Sequence, residues 1–416
     1  MNIPIPPDVN FILNELTKNA YEAYVVGGSI RDSLMGKTPS DWDMSTNATP
    51  DAIINIFSTL GLKTISTGKL FGTITLLIHN QPYEITTFRT ESNYEDNRKP
   101  SNVTFSSSID EDLRRRDFTI NSLAYDPHRG LIDLFHGVED IHNKIIRAVG
   151  DPEERFQEDA LRILRAIRFA SQLDFTIHPK TAEAMDQHRE LVKTLSKERV
   201  RTELDKIIMS DRPTLGLKLL NTLEIIHPIQ IPDNLDTVKK DLIYRLSLLG
   251  IVNIYTHGIP LNTLTQRLHV LEKALKELRY DGHTIKQVVF LIKEYPSIRN
   301  LTNERSFKKL LSRNGIEAGK ELLSLSKDVE VLPWNSCMGL NDLELLLTKI
   351  IEEDHPIALK DLKISGDTLK AMGITEGREV GIILNHLLEI VLEKPEFNQY
   401  DKLLELTSAY IKSKKQ

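Results

Sequence analysis

Tyr24-Val25-Val26-Gly27-Gly28-Ser29-Ile30-Arg31-Asp32 runs from an apolar, β-branched triplet through two glycines into a helical stretch that begins near Ser29. Glycines at a strand-to-helix junction let the backbone approach a ligand closely, and the start of the helix favours an anion. Arg31 adds a forked donor suited to a phosphate oxygen. Downstream, Trp42–Thr46, Thr73–Ile78 and Glu84–Phe88 have the composition of short strands. Turn signals separate them at Thr49-Pro50, His79-Asn80-Gln81-Pro82 and Pro100-Ser101-Asn102. The stretch from Arg89 to Thr104, RTESNYEDNRKPSNVT, is polar throughout and predicts a long mobile loop with a functional role.

After Asp151-Pro152 the pattern changes to helices with little interruption. EERF at 153–156 opens EDALRILRAIRFASQL, followed by TAEAMDQHRELVKTL and SKERVRTELDKIIM. Apolar residues return every three or four positions, as at Leu161, Leu164 and Ile167. The chain therefore predicts an α+β protein: an N-terminal head with a small mixed β-sheet over 1–150, then an all-α neck (151–210), body (211–330) and tail (331–416).

The length of 416 residues allows two to four domains. With 53 Lys+Arg against 59 Asp+Glu the net charge is −6, and 40% of residues are hydrophobic, which excludes a disordered chain and argues against coating nucleic acid by bulk charge. A local basic groove remains compatible with that average. No apolar run approaches a membrane span and the first residues lack a signal-like pattern, so a cytoplasmic protein is expected. A single cysteine, Cys337, excludes an internal disulfide and a cysteine-based zinc cluster.

Three further stretches carry chemistry. In Asp41-Trp42-Asp43, residues two apart on a strand share a face, so the two carboxylates repel unless a cation lies between them. Two hard oxygen ligands suit Mg²⁺, which fills its remaining positions with water and substrate phosphates. An isolated Asp-x-Asp is more often a solvated turn. Arg114-Arg115-Arg116 cannot share one helix face, which leaves at least one guanidinium to turn inward towards phosphate or ribose; a solvated charge run is about equally compatible.

Glu158-Asp159-Ala160-Leu161-Arg162 is the most informative segment. On one helix Asp159 and Arg162 would point the same way, with Arg165 and Arg168 continuing the row, and a surface ion-pair ladder is the bland alternative. An acceptor-only Asp beside a donor-only Arg matches the amino group and ring nitrogen of cytosine and of adenine. Uracil and guanine present a carbonyl beside an N–H, so both contacts would be mismatched and left unpaired.

Taken in order, GGSIRD, DWD, FRTESNYEDNRKP, RRRDFTINSLAYD, EDALRILRAIRF and SKERVRTE closely resemble class II template-independent RNA nucleotidyltransferases, the bacterial CCA-adding enzymes and their poly(A) polymerase relatives. The motifs cover about the first half of the chain. The resemblance implies that Asp41 and Asp43 hold catalytic Mg²⁺, that Gly28 and Arg31 meet the incoming triphosphate, and that Arg116 lies against triphosphate or ribose. It implies that Asp159 and Arg162 read the base and that Arg165 and Arg168 complete the nucleotide pocket, with Glu84 a candidate third carboxylate.

The tail, ALKDLKISGDTLKAMGITEGREVGIILNHLLEIVL, resembles that of compact Firmicute-type CCA-adding enzymes, which implies contact with the acceptor and T arms of tRNA within a crescent. The intact loop from Arg89 to Pro100 implies addition of C, C and A from CTP and ATP, rather than the CC-only activity of relatives with a shortened loop. An A-adding or poly(A)-adding polymerase is the alternative within the family, and a non-catalytic tRNA-binding protein the alternative outside enzymes. The oligomeric state stays open, a homodimer included. Arg299, Arg305, Lys308, Lys309 and Arg313 form the densest basic cluster of the second half and are expected to contact phosphate, a decorated surface being the other reading.

Overall fold

Alternation in the first third builds one sheet. A computed structural model describes residues 3–95, 99–256, 263–374 and 376–414. Strands β1 (Ala23–Val26), β2 (Asp43–Thr46), β3 (Lys63–Ile65), β4 (Thr73–Ile78), β5 (Gln81–Thr87), β8 (Leu123–Asp126) and β9 (Gly130–Asp133) form a seven-stranded mixed sheet in the order β3-β4-β5-β2-β1-β8-β9. The β2–β5 pair is parallel and the others are antiparallel.

In β4, Ile74, Leu76 and Ile78 are buried while Thr73, Thr75 and Leu77 are half-exposed, the period-two pattern of a sheet covered on one face. The covering element on that side is α3 (Pro50–Thr59), which buries Ile53 and Phe57. Thr49-Pro50, expected to be a turn, is the start of this helix: the Thr49 hydroxyl accepts from the Ala52 N–H and Pro50 fits the first helical position.

The polar stretch expected to be a loop is a hairpin. Strands β6 (Arg89–Glu95) and β7 (Lys99–Phe105) pair antiparallel from Arg89↔Phe105 to Glu95↔Lys99. Pro100-Ser101-Asn102 therefore lies within a strand and not at a turn, and residues 96–98 lie outside the described residues. Its Asn, Asp and Ser content masked ladder pairing that composition alone does not reveal.

The helical half opens as expected but with a break. The stretch read as one helix from 153 divides into α6 (Pro152–Glu158) and α7 (Leu161–Leu173), because Asp159 adopts an extended conformation (φ −142°, ψ 103°) and turns its carboxylate onto the Leu161 N–H at 3.0 Å. Asp is a strong local competitor for backbone donors, which explains why periodicity overran the boundary. The region read as an all-α neck also contains a short strand, Thr176–Ile177, paired in parallel with Ile145–Ile146.

Two compact units contain the chain, Met1–Ile229 and Gln230–Gln416. The first holds the sheet, α2 (Gly28–Leu34), α4 (Ile109–Arg114), α6, α7, α8 (Pro179–His188), α9 (Lys197–Ile208) and α10 (Pro213–Thr222). The second is helical among the described residues, running from α11 (Leu242–Tyr255) through α13 (Gly282–Arg299), α14 (Glu304–Asn314), α15 (Ile316–Asp328) and α16 (Leu340–Glu352) to α18 (Gly377–Glu393) and α19 (Tyr400–Lys414). No helix among the described residues is long and apolar enough to cross a membrane.

Candidate active site

The junction after β1 needs glycine at 27. Gly27 has φ +76° and precedes α2, and a Cβ there would lie 2.9 Å from Arg116 Nη1. At Gly28 a Cβ would approach the Arg31 guanidinium at 3.5 Å, so both glycines give room to an arginine and Gly27 is the more constrained. The Arg31 Nη1 donates to Asn121 Oδ1 at 2.7 Å, and its Nη2 pairs with Asp32 at 2.8 Å.

Antiparallel pairing of β1 with β2 brings Val26 opposite Asp43 and sets this carboxylate beside the glycine junction. Asp43 opens β2, whereas Asp41 lies just before the strand and accepts from the Ser40 hydroxyl at 3.0 Å. Strand periodicity thus fails as the reason for their proximity, yet both carboxylates line one cavity. Burial raises the Asp43 carboxyl to about 6, and the charges of Asp41 and Glu84 push it the same way against Arg116.

Carboxylates that disfavour one another's charge are the donor set of a divalent-cation site, and the residues fit that group. Among the described residues no set of three or more His, Cys, Asp or Glu is arranged to hold a metal. Glu84 lies beside Asp43, because the β2–β5 register aligns Met44 with Ile85.

The cavity has a volume of about 850 Å³ and is lined by Gly27, Gly28, Arg31, Asp41 and Asp43 together with Arg116, Asp159, Arg162, Arg165 and Arg168. Nine of the ten residues named from the sequence line it, and Glu84, on β5, is not in that lining. The arginines are held by acids behind them. Asp112, fully buried, takes Arg115 at 2.7 Å and Arg116 at 3.2 Å, and the two guanidiniums hold its carboxyl below the usual range although burial opposes them. Burial likewise opposes the charge of Asp117, but the adjacent Arg165, whose Nε donates at 2.7 Å, brings its carboxyl to about 2. Arg168 donates to Glu203 at 3.3 Å, and burial with the neighbouring Arg165 lowers it to about 10.

Asp159 and Arg162 are not paired with each other as helix spacing suggested. The Asp159 Oδ2 accepts from Arg199 Nη2 at 2.7 Å, while the Arg162 guanidinium donates to Glu158 Oε2, to the Arg155 carbonyl at 3.1 Å and to the Arg115 carbonyl at 2.9 Å. The break at 159–160 puts them on separate elements, yet both line the cavity. Each is fixed by its own partners.

Several site residues escaped sequence reasoning. Asn121 and Asp117 link Arg31 to Arg165, since Asn121 Nδ2 donates to Asp117 Oδ1 at 3.2 Å. Phe169 gathers the guanidiniums of Arg31, Arg165 and Arg168 at 5.3, 5.4 and 4.2 Å from its ring centre. Asp117 and Asn121 stood within the quoted RRRDFTIN and Arg199 within SKERVRTE, but nothing in their spacing named their partners.

Four members of the basic cluster of the second half are engaged within the fold, while Arg313 is exposed. Arg299 is buried and donates to the Tyr295 hydroxyl and to the carbonyls of Ser326 and Val329. Arg305 pairs with Glu389 and Glu393, Lys309 pairs with Glu389, and Lys308 is buried. Their acidic partners are 80 or more positions away in sequence for Arg305 and Lys309, beyond the reach of a local reading.

This geometry has counterparts. Residues 23–147 match the "Poly A polymerase head domain" family, and residues 174–233 match "Probable RNA and SrmB- binding site of polymerase A". A CCA-adding enzyme of Lactobacillus helveticus is 52% identical over 396 residues, 94% of each chain. The chain belongs to the CCA-adding enzyme family. A CCA-adding enzyme of Pediococcus pentosaceus is 45% identical over 402 residues, covering 95% of this chain and 96% of that one. The crystal structure of the Bacillus stearothermophilus CCA-adding enzyme in complex with CTP superposes with a TM-score of 0.77 at 26% identity, covering 98% of this chain and 100% of that chain. The second unit therefore belongs to the CCA-adding enzyme fold as much as the sheet does.

Proposed function

We propose that this protein adds C, C and A in turn to the 3′ end of immature tRNA, using CTP and ATP, releasing pyrophosphate and reading no template. The observation that carries the reading is the shared cavity: an acceptor, Asp159, and a donor, Arg162, line the same cavity as Asp41 and Asp43. Cytosine and adenine both offer an amino donor beside a ring acceptor, so one pair of side chains admits both and rejects uracil and guanine.

Each side chain then has a part. Gly27 and Gly28 let the triphosphate approach the start of α2, and Arg31 and Arg116 meet its oxygens. Arg165 and Arg168, held by Asp117 and Glu203, complete the nucleotide pocket. Asp41 and Asp43 would hold Mg²⁺, and Glu84, next to Asp43 in the β2–β5 register, adds negative charge nearby. Bound there, the metal lowers the pKa of the RNA 3′-hydroxyl and stabilises the leaving pyrophosphate. The 3′-hydroxyl attacks the α-phosphate in line, its oxygen forming the new ester while the bond to pyrophosphate breaks.

The head, neck, body and tail division, with the last two gripping the acceptor and T arms, fits recognition of duplex RNA by shape and backbone. A cytoplasmic location fits a protein with one cysteine and no membrane-length helix among its described residues.

The test offers tRNA ending at its discriminator base with CTP alone, ATP alone and both. Extension by CTP before any A enters is expected. Long A tracts on unrelated RNA would support a poly(A)-adding polymerase instead.

A further inference from the structure

Helices α7 and α9 follow the nucleotide cavity in the same order. Arg199, near the start of α9, holds Asp159 just before α7, and Glu203, one turn further on, holds Arg168 in the middle of α7. Continued in that direction, α9 reaches Lys206 and α7 reaches Gln172, and both residues line the cavity. At 1.5 Å per helical residue, Gln172 lies about 15 Å beyond Arg162 and about 6 Å beyond Arg168. The Arg31 guanidinium, assigned to the triphosphate, sits 5.3 Å from the Phe169 ring centre. The phosphates therefore run from the base-reading end of α7 towards Gln172.

Most polar side chains of the lining are tied to a partner. Arg162, Arg165 and Arg168 pair with Glu158, Asp117 and Glu203, and Arg199 pairs with Asp159. Among the described residues, Asp43, Gln172 and Lys206 are the polar side chains of the lining with neither a hydrogen bond nor an ion pair. The metal accounts for Asp43. Gln172 is half-buried and Lys206 is exposed, and the buried Arg168 keeps an Nε with no hydrogen-bond partner. Donors thus gather at the far end of the row, and Lys206 brings a positive charge that no acid pairs with, the complement of an oxyanion.

We infer that Gln172 and Lys206 bind the terminal phosphate of the incoming nucleotide and hold pyrophosphate as it leaves, an inference that deepens the nucleotidyltransferase reading and rests on it. As the RNA 3′ oxygen bonds to the α-phosphorus, the bond from that phosphorus to the bridging oxygen breaks. The electron pair stays on pyrophosphate and the hydroxyl proton passes to water. Negative charge grows on the departing group, so the Lys206 ammonium interacts with it more strongly than with the bound triphosphate. Gln172 is too far along α7 from Arg162 to meet the base, so the pair acts alike on CTP and ATP. A nucleoside diphosphate lacks the group these side chains hold, and the pair thereby selects triphosphate over diphosphate.

The experiment titrates the full chain, with Mg²⁺ and without RNA, with CTP and with CDP by calorimetry, in the wild type, Lys206→Ala, Lys206→Arg and Gln172→Glu. Lys206→Ala is expected to weaken CTP binding by about tenfold and CDP binding by no more than about twofold. Lys206→Arg keeps the charge and is expected to keep the wild-type ratio of the two affinities. Gln172→Glu sets like charge against phosphate and is expected to weaken CTP binding more than CDP binding. Inhibition of tRNA extension by pyrophosphate is expected to weaken by about tenfold in Lys206→Ala. An unchanged ratio of CTP to CDP affinity in Lys206→Ala or in Gln172→Glu, or an equal loss for both nucleotides as damage to the fold would give, would overturn the inference. If the wild type extends tRNA and that ratio stays unchanged in the variants, the subsite fails and the activity stands. If the wild type adds no nucleotide yet Lys206→Ala loses its preference for CTP, the activity fails and the subsite stands.

Discussion

Two groups of basic residues in this chain look alike as letters and end differently. In the first unit Arg116, Arg162, Arg165 and Arg168 are anchored from behind by Asp112, Glu158, Asp117 and Glu203 and still line the cavity. In the second unit Arg299, Arg305 and Lys309 spend their donors on carbonyls and on Glu389 and Glu393. A basic cluster becomes a binding site when its counter-charges orient it towards a void, and a structural tie when they close over it.

The largest effect expected from the contrast lies at the carboxylates facing the first group. Asp41→Ala or Asp43→Ala should abolish incorporation of both nucleotides, by about 10³-fold or more, while tRNA binding measured by filter retention changes little. Loss of binding instead would place these residues outside the metal site.

Next comes the anchor itself. Asp117→Asn removes the charge from a buried pair and should cost about 3–5 kcal/mol of stability, read from urea unfolding. The pH dependence has a definite sign. The Asp117 carboxyl sits at about 2, below its ordinary value of 3.8, so its contribution is present above pH 4 and is lost as pH falls through the folded value near 2. The stability difference between wild type and Asp117→Asn should therefore narrow across that window, and a constant gap would show that the charge is not what matters.

The smallest effect belongs to the second group. Arg305→Ala should cost at most about 1 kcal/mol, as for other exposed ion pairs, and should leave the KM for tRNA unchanged. A marked rise in that KM would show that Arg305 contacts phosphate in spite of its ion pairs with Glu389 and Glu393.

Much of this was legible in the sequence, for reasons that show where legibility stops. Local features were readable: the Gly-Gly junction, the alternation of β4, the two aspartates and the arginine row. Asp159 and Arg162 were assigned to one helical row, and the fold instead breaks the helix between them, because the capping preference of Asp overrode periodicity. The hairpin at 89–105 was hidden by polar composition, since its ladder depends on a partner strand and not on hydrophobic alternation. Partners distant in the chain were the least legible. Arg199 holding Asp159 spans 40 positions, and Glu389 closing on Arg305 spans 84, distances over which spacing carries no signal.

Selection of the nucleotide by protein side chains is tested most directly by kcat/KM for CTP, ATP, UTP and GTP on one tRNA acceptor, in the wild type, Asp159→Ala and Arg162→Ala. The wild type should prefer C and A over U and G, and either variant should lose most of that preference, with a smaller change in its overall affinity for triphosphate. Variants that slow all four nucleotides equally while keeping the wild-type ratios would contradict the assignment of Asp159 and Arg162 as the readers of the base.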